Sequence, residues 1–124
     1  MPKALVVDDS RAIRMILSQT LREIGFEVEE AAHGLAALNQ MEEKGDKISL
    51  VLADWNMPEM NGLELLKAIR SKSRFNQVRV VMVTTETEMT QMVEALEAGA
   101  NEYVMKPFTK EILIGKLELA GVSF

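Results

Sequence analysis

The sequence has 124 residues, with no cysteine and one histidine. It contains 14 Lys and Arg residues and 19 Asp and Glu residues, which give a formal net charge of −5 at pH 7. This length predicts one domain, and the missing cysteines exclude disulfides and thiolate chemistry, as expected for a cytoplasmic protein. The acidic balance argues against nonspecific nucleic-acid binding, and the apolar run at residues 4–7 is too short for a signal peptide or membrane insertion.

Short β-branched runs alternate with longer segments of helical period, which is the pattern of a parallel sheet with helices on its faces. Strands are predicted at residues 3–7, 27–31, 50–53, 78–83 and 102–105. Helices are predicted at residues 11–24, 35–44, 63–70, 88–98 and 110–119. The first, third and fourth strands are nearly continuous apolar runs and suit the centre of the sheet, whereas the second alternates and suits an edge. The sequence therefore predicts an α/β domain over residues 1–124.

The spacing of apolar residues in the helices predicts which side chains face the core. In the first helix these are Ile13, Ile16, Leu17, Leu21 and Ile24, with Ser10 as the N-cap and Gly25 as the C-terminal stop. In the fourth helix they are Met89, Met92, Val93 and Leu96. In the last helix they are Leu113, Leu117 and Ala120, which leaves Ile112, Ile114 and Leu119 as surplus apolar residues.

Polar residues follow four of the five strands. Asp8 and Asp9 follow the first strand, Asp54 the third, Thr84 the fourth and Lys106 the fifth. Each residue type is common singly, as a helix cap or a solvated lysine. In doubly wound sheets, however, the functional site lies outside the carboxyl ends of the strands, so these side chains are predicted to converge.

Three converging carboxylates repel one another and require a counter-charge, which a divalent cation and one lysine can supply. Magnesium prefers oxygen ligands and is commonly held by one or two carboxylates together with a phosphate oxygen. The chain has no glycine-rich phosphate loop, so a bound nucleotide is not indicated. An aspartate can itself attack phosphorus, and Asp54 on the central strand is the candidate nucleophile. Asp8 and Asp9 are then predicted to hold the metal, while Lys106 and Thr84 contact the phosphoryl oxygens.

Six motifs in order along the chain are VVDDS at 6–10, ADWNMP at 53–58, MNGLELL at 60–66, MVTTE at 82–86, AGA at 98–100 and YVMKPF at 103–108. These motifs resemble those of bacterial response regulator receiver domains, most closely the single-domain chemotaxis regulators, and the match extends over essentially the whole chain. The resemblance implies a five-stranded parallel sheet in the order 2-1-3-4-5, doubly wound with five helices. It also implies one receiver domain without an output domain.

The resemblance implies a role for each residue of the predicted site. Asp54 is the phosphoacceptor, and Mg2+ is bound by Asp9, Asp54 and the backbone carbonyl of Asn56, while Asp8 acts mainly through a metal-bound water. The phosphoryl contacts are Thr84 and Lys106, with a cis peptide before Pro107. Asn56 and Glu86 tune the rate of hydrolysis. The domain is then not a conventional enzyme, although it catalyses its own phosphorylation and dephosphorylation.

The resemblance also implies how a signal leaves the domain. Thr84 moves toward the phosphate, and Tyr103 rotates into the vacated space. The expected partner surface lies on the fourth helix, the fifth strand and the fifth helix. Its residues are Met89, Met92, Met105, Phe108, Ile112 and Lys116. The implied partners are a sensor histidine kinase, a downstream protein such as the flagellar motor switch and, where dephosphorylation is assisted, a phosphatase. Trp55 is expected to be exposed beside the site, and His33 to be a solvated turn residue.

Three alternative functions remain open from the sequence. A phosphatase of the haloacid dehalogenase type also uses a nucleophilic Asp, but it needs a second Asp two residues later, where this chain has Asn56. A flavodoxin-like flavin binder has the same fold, but its phosphate loop is rich in hydroxyl residues and glycine. A receiver in a phosphorelay, or one belonging to a longer regulator, would have the same site as a single-domain regulator.

Overall fold

Strands and helices alternate along the whole chain, as predicted. The computed structural model describes residues 2–85 and 89–124, except for the side chain of Met89. The strands are β1 (Lys3–Val7), β2 (Glu27–Ala31), β3 (Ile48–Asp54), β4 (Arg79–Thr84) and β5 (Glu102–Met105). The helices are α1 (Arg11–Glu23), α2 (Gly34–Lys44), α3 (Gly62–Arg70), α4 (Met89–Glu97) and α5 (Lys110–Leu119). Short 3-10 turns at Gly45–Lys47 and Ser73–Phe75 precede β3 and β4.

The five strands form one parallel sheet in the order β2-β1-β3-β4-β5, which confirms the predicted topology. Alternate side chains of each central strand enter two separate apolar clusters, one on each face of the sheet. Leu5 and Val51 pack with α2, α3 and α4 on one face, whereas Val6 and Leu52 pack with α1 and α5 on the other. β2, whose residues alternate, lies at an edge as predicted.

The helix ends follow local chemistry. The Ser10 hydroxyl accepts a hydrogen bond from the Ile13 backbone N–H at 3.3 Å, and Gly25 follows α1 with a φ of 106°, a left-handed conformation that favours glycine. α3 begins with a capping box between Asn61 and Glu64. His33 is exposed, as expected of a turn residue, and its Nδ1 also caps α2 by accepting from a backbone N–H.

The predicted buried faces of α1 and α4 are partly wrong. In α1, Leu17 and Leu21 are buried, but Ile16 is 53% exposed because the helix presents a narrower stripe to the sheet. In α4, Ala95 is buried, whereas Val93 and Leu96 are 44% and 49% exposed. Met92 is partly buried against the core, as predicted, so the buried face of α4 includes Ala95 and Met92. The predicted inner stripe of α5 is confirmed, since Leu113, Leu117 and Ala120 are all buried.

Candidate functional site

Three carboxylates converge at the carboxyl ends of β1 and β3. These neighbouring strands pair Val7 with Ala53, so the residues that follow, Asp8 and Asp54, leave the sheet side by side. Asp8, Asp9 and Asp54 each offer one carboxylate oxygen, and these three oxygens lie within 4.8 Å of one another. The cluster predicted from the strand ends is therefore present.

Lys106 brings a positive charge to this cluster from the end of β5. Its Nζ lies 2.9 Å from Asp8 Oδ2 and 3.4 Å from Asp54 Oδ1. The Lys106 backbone N–H donates to the carbonyl of Thr84 at 2.8 Å, and the peptide between Lys106 and Pro107 is cis, as the resemblance implied. The hydrogen bond to Thr84 holds the backbone of Lys106 at the end of β4, and the lysine side chain contacts the two carboxylates there.

Burial makes the negative charge of the site costly. Asp8 and Asp54 are only 1% and 6% exposed, whereas Asp9 is exposed. Burial, followed by the charge of Asp8, raises the pKa of Asp54, although Lys106 and a backbone hydrogen bond from Asn56 oppose this rise. One lysine beside three carboxylates leaves an excess of negative charge, which a cation bound among the three would offset.

The donor set has the chemistry that Mg2+ prefers, because carboxylates are hard oxygen ligands. The two oxygens of Asp8 already accept hydrogen bonds, Oδ1 from the Ser10 backbone N–H at 2.8 Å and Oδ2 from Lys106 at 2.9 Å. Asp54 also receives hydrogen bonds, from Lys106 and from the Asn56 backbone N–H. The exposed Asp9 is therefore the carboxylate with the most capacity for direct ligation. Asp8 is better suited to support the site through its charge and through water.

The remaining residues predicted for the site lie on β4, on β5 and in the loop after β3, or outside the described residues. Thr84 is fully buried at the end of β4, and Tyr103 is buried in the middle of the neighbouring β5. Asn56 is exposed in the loop after β3. Glu86 lies outside the described residues, so its role in tuning hydrolysis stays a prediction.

Trp55 corrects one expectation, because it is only 7% exposed and belongs to the apolar cluster beneath the site. The start of α3 packs closely against this part of the chain, and the Gly62 backbone N–H donates to the Trp55 carbonyl at 2.8 Å. A Cβ atom at Gly62 would lie 2.2 Å from the backbone oxygen of Asp54. No role was predicted for this glycine, although it lies within the MNGLELL motif at 60–66.

The predicted partner residues are only partly brought together. Met92, Met105, Ile112 and Lys116 line one cavity of about 280 Å³, with Tyr103 and Pro107. Phe108 instead lines a second cavity of about 390 Å³ beside α1, together with Ile16 and Lys106. The side chain of Met89 lies outside the described part of the chain.

In the described residues, no helix is both long enough and apolar enough to cross a bilayer.

Comparisons with known proteins agree with the fold. The model of the family described as "Response regulator receiver domain" matches residues 4–118. Chemotaxis protein CheY1 of Helicobacter pylori is 47% identical over 118 residues, which are 94% of each chain. The chemotaxis protein CheY homolog of Campylobacter jejuni is 44% identical over 94% of this chain and 89% of its own. The solved structure of the chemotaxis response regulator CheY4 of Vibrio cholerae has a TM-score of 0.89 and 38% identity, and the match covers 97% of this chain and 98% of that chain.

Proposed function

The chain belongs to the response regulator receiver family, and we propose that it accepts a phosphoryl group on Asp54 from a histidine kinase and thereby controls a downstream protein in chemotaxis. Family membership makes it a two-component response regulator and implies both kinds of partner. The finer proposal rests on one observation, the convergence of three carboxylates and Lys106 at the end of the sheet. The chemotaxis role is supported by the relatives, which are named chemotaxis proteins.

The proposed reaction begins at the carboxylate of Asp54. One of its oxygens attacks the phosphorus of a phosphohistidine, the P–N bond breaks, and the imidazole leaves with the electron pair and takes a proton from water. Lys106, 3.4 Å from Asp54 Oδ1, is suited to bind the incoming phosphoryl oxygens, and the Thr84 hydroxyl to donate to them. In the second step of the cycle, water attacks the phosphorus, the bond between the phosphorus and the Asp54 oxygen breaks, and inorganic phosphate and the free carboxylate are released. Asn56 and Glu86 are proposed to tune that second rate.

Receiver domains generally bind Mg2+ at an acidic pocket, and the carboxylates here fit this role. We propose that Asp9, Asp54 and the Asn56 carbonyl hold the ion, with Asp8 acting through water. Bound there, Mg2+ would supply positive charge between the attacking carboxylate and the phosphoryl oxygens. Burial and the charge of Asp8 raise the pKa of Asp54, and a bound cation would offset this penalty on its ionised form.

The proposed switch uses Thr84 and Tyr103. Moving a population from 1:99 to 99:1 takes about 5.5 kcal/mol of differential interaction. Hydrogen bonds to charged groups contribute about 1.5 to 3 kcal/mol each, so contacts from Thr84 and Lys106 to a phosphoryl group are of the required size. Tyr103 lines the cavity between α4 and α5, which supports a path from the phosphoryl contacts to that face.

The proposed output surface is the face formed by α4, β5 and α5. Met105 and Ile112 are 45% and 51% exposed beside a cavity of about 280 Å³, so they offer apolar contact area to a protein partner. The flagellar motor switch is the partner that a chemotaxis role favours. A phosphatase that ends the signal, or a second histidine protein in a phosphorelay, would meet the same phosphorylated site.

The replacement of Asp54 by asparagine tests the proposal. Asp54→Asn should abolish incorporation of labelled phosphate from a phosphorylated histidine kinase, because the amide is a poor nucleophile toward phosphorus. Asp46→Asn is the matched control, since its side chain is 80% exposed in the turn after α2. This control should be labelled like the wild type in the presence of Mg2+, and neither protein should be labelled in EDTA. Stable labelling of Asp54→Asn at the wild-type rate would refute the assignment.

A further inference from the structure

Arg14 connects the edge of the sheet to the acidic site. It lies in the first turns of α1, and its side chain is only 16% exposed. Its Nη1 donates to the backbone carbonyl of Asp8 at 2.6 Å, and its Nε lies 3.3 Å from the carboxylate of Glu30 on β2. No role was assigned to this residue from the sequence, and the phosphorylation chemistry proposed above does not use it.

The carbonyl that Arg14 binds belongs to the peptide between Asp8 and Asp9. The other hydrogen-bonding atoms of Asp8 are also engaged, because its backbone N–H donates to Ala31 at 3.2 Å and its two carboxylate oxygens accept from Ser10 and Lys106. These contacts fix the Asp8 side chain. The Arg14 contact fixes the plane of the following peptide, and with it the direction in which Asp9 leaves the backbone.

Asp9 depends on that peptide more than its neighbours do. It is exposed, whereas Asp8 and Asp54 are held by their buried surroundings. Its carboxylate nevertheless lies within 4.8 Å of the other two. Arg14 is itself anchored by its contact with the carboxylate of Glu30 on β2. The backbone carbonyl of Glu30 in turn accepts a hydrogen bond from Gln40 Nε2 at 2.8 Å. The peptide that precedes Asp9 is thereby linked through Arg14 to Glu30 on β2, and through Glu30 to Gln40 on α2.

We infer that Arg14 is a positioning residue that holds the Asp8–Asp9 peptide so that Asp9 faces a Mg2+ ion at the acidic site. The inference rests on the proposed function, because it assumes that Mg2+ binds there. Groups that orient metal ligands from outside the coordination shell commonly change metal affinity 10- to 100-fold when removed. A guanidinium near the site also repels a cation. Positioning and simple charge repulsion therefore predict opposite effects when Arg14 is replaced.

The test is a calorimetric titration of MgCl2 into the whole protein, with the fluorescence of Trp55 as a second readout of binding. Arg14→Met keeps an unbranched apolar stem in place of the arginine but removes its donors and its charge, and it should weaken Mg2+ binding about tenfold. Arg14→Lys keeps the charge but cannot hold the Asp8 carbonyl and Glu30 together, and it should show a smaller loss. Arg11→Met, an exposed arginine of the same helix, is the control for charge and should bind Mg2+ as tightly as the wild type or more tightly.

Urea unfolding without Mg2+ separates positioning from stability, because a merely structural arginine would lower stability and leave the affinity of the folded protein unchanged. Wild-type or tighter Mg2+ affinity in both Arg14→Met and Arg14→Lys would overturn the inference. If Arg14→Met does not fold, Arg14→Lys decides the question, since any loss there occurs at constant charge. A wild-type protein that binds no Mg2+ would instead refute the proposed function.

Discussion

At the scale of single residues, Asp54 lies in surroundings that disfavour its ionised form. The carboxylate is almost completely buried, and Asp8 adds a second negative charge beside it. Lys106 offsets only part of this cost. A carboxylate in such surroundings gains more free energy from a bound cation than an exposed aspartate does. The reason is that its charge has already lost its hydration in the folded protein.

This environment predicts a pH dependence of stability. Because the pKa of Asp54 is raised, the folded state holds its proton more tightly than the unfolded state, whose value is near 3.8. The contribution of Asp54 to the free energy of unfolding therefore falls as pH rises above that value and stays unfavourable at neutral pH. In EDTA, Asp54→Asn should be more stable than the wild type at neutral pH, and this advantage should shrink as pH falls toward the unfolded value.

Urea unfolding at several pH values measures this difference. The exposed Asp46→Asn variant should show little change in stability across the same range. An Asp54→Asn variant that is less stable than the wild type at neutral pH would show that Lys106 and the backbone hydrogen bond dominate over burial.

At the scale of elements, the helices differ in how completely they bury their apolar residues. α5 buries Leu113 and Leu117 but leaves Ile112 and Leu119 exposed at 51% and 73%. Of these two, Ile112 lines the cavity with Tyr103 and Met105, whereas Leu119 lies at the far end of the helix. The exposed apolar residues near the cavity therefore have a neighbourhood suited to a partner.

A matched pair of substitutions tests whether this part of α5 binds the downstream protein. Ile112→Asp should lower the affinity of the phosphorylated protein for its partner by about tenfold or more, because a charge in an apolar contact is costly to bury. Leu119→Asp makes the same chemical change on the same helix and should leave affinity unchanged. Phosphorylation by the kinase should proceed normally in both variants. Equal effects of the two substitutions on partner binding would contradict the proposed surface.

At the scale of the whole molecule, the proposed phosphorylation site and the proposed output surface are joined through neighbouring strands. Thr84 pairs with Met105 at the ends of β4 and β5, and Tyr103 lies two residues earlier on β5. Tyr103 is buried, yet it lines the cavity beside α4 and α5. A change at Thr84 can therefore reach the output face through packed side chains of two adjacent strands.

Removal of the Tyr103 ring should uncouple the two ends of this path. Tyr103→Ala is expected to accept phosphate normally but to lose most of the phosphorylation-dependent gain in partner affinity. The truncation costs about 3 kcal/mol or more of stability, which a domain of ordinary stability tolerates. Tyr103→Phe keeps the ring and should retain the coupling. Partner titrations with and without phosphorylation measure both effects, and unchanged coupling in Tyr103→Ala would count against the switch.

The order and type of the elements, and the residues at the strand ends, could be predicted from the amino-acid sequence. Hydrophobic period and cap chemistry are local, so β1, β2, β5 and α5 have the predicted bounds and the others differ by at most two residues at either end. The convergence of Asp8, Asp9, Asp54 and Lys106 was also predictable, because parallel strands bring their carboxyl ends to one edge of the sheet.

The surfaces that the elements present to one another depend on how they pack in the folded domain, which local sequence patterns do not specify. Ile16, Val93 and Leu96 match a helical period but are exposed, because the sheet and the neighbouring helices select the buried face. Trp55 is buried for the same reason, under the close approach of α3 at Gly62. The bond from Arg14 to the Asp8 carbonyl, and the burial that raises the pKa of Asp54, join groups in a geometry that local sequence patterns do not encode.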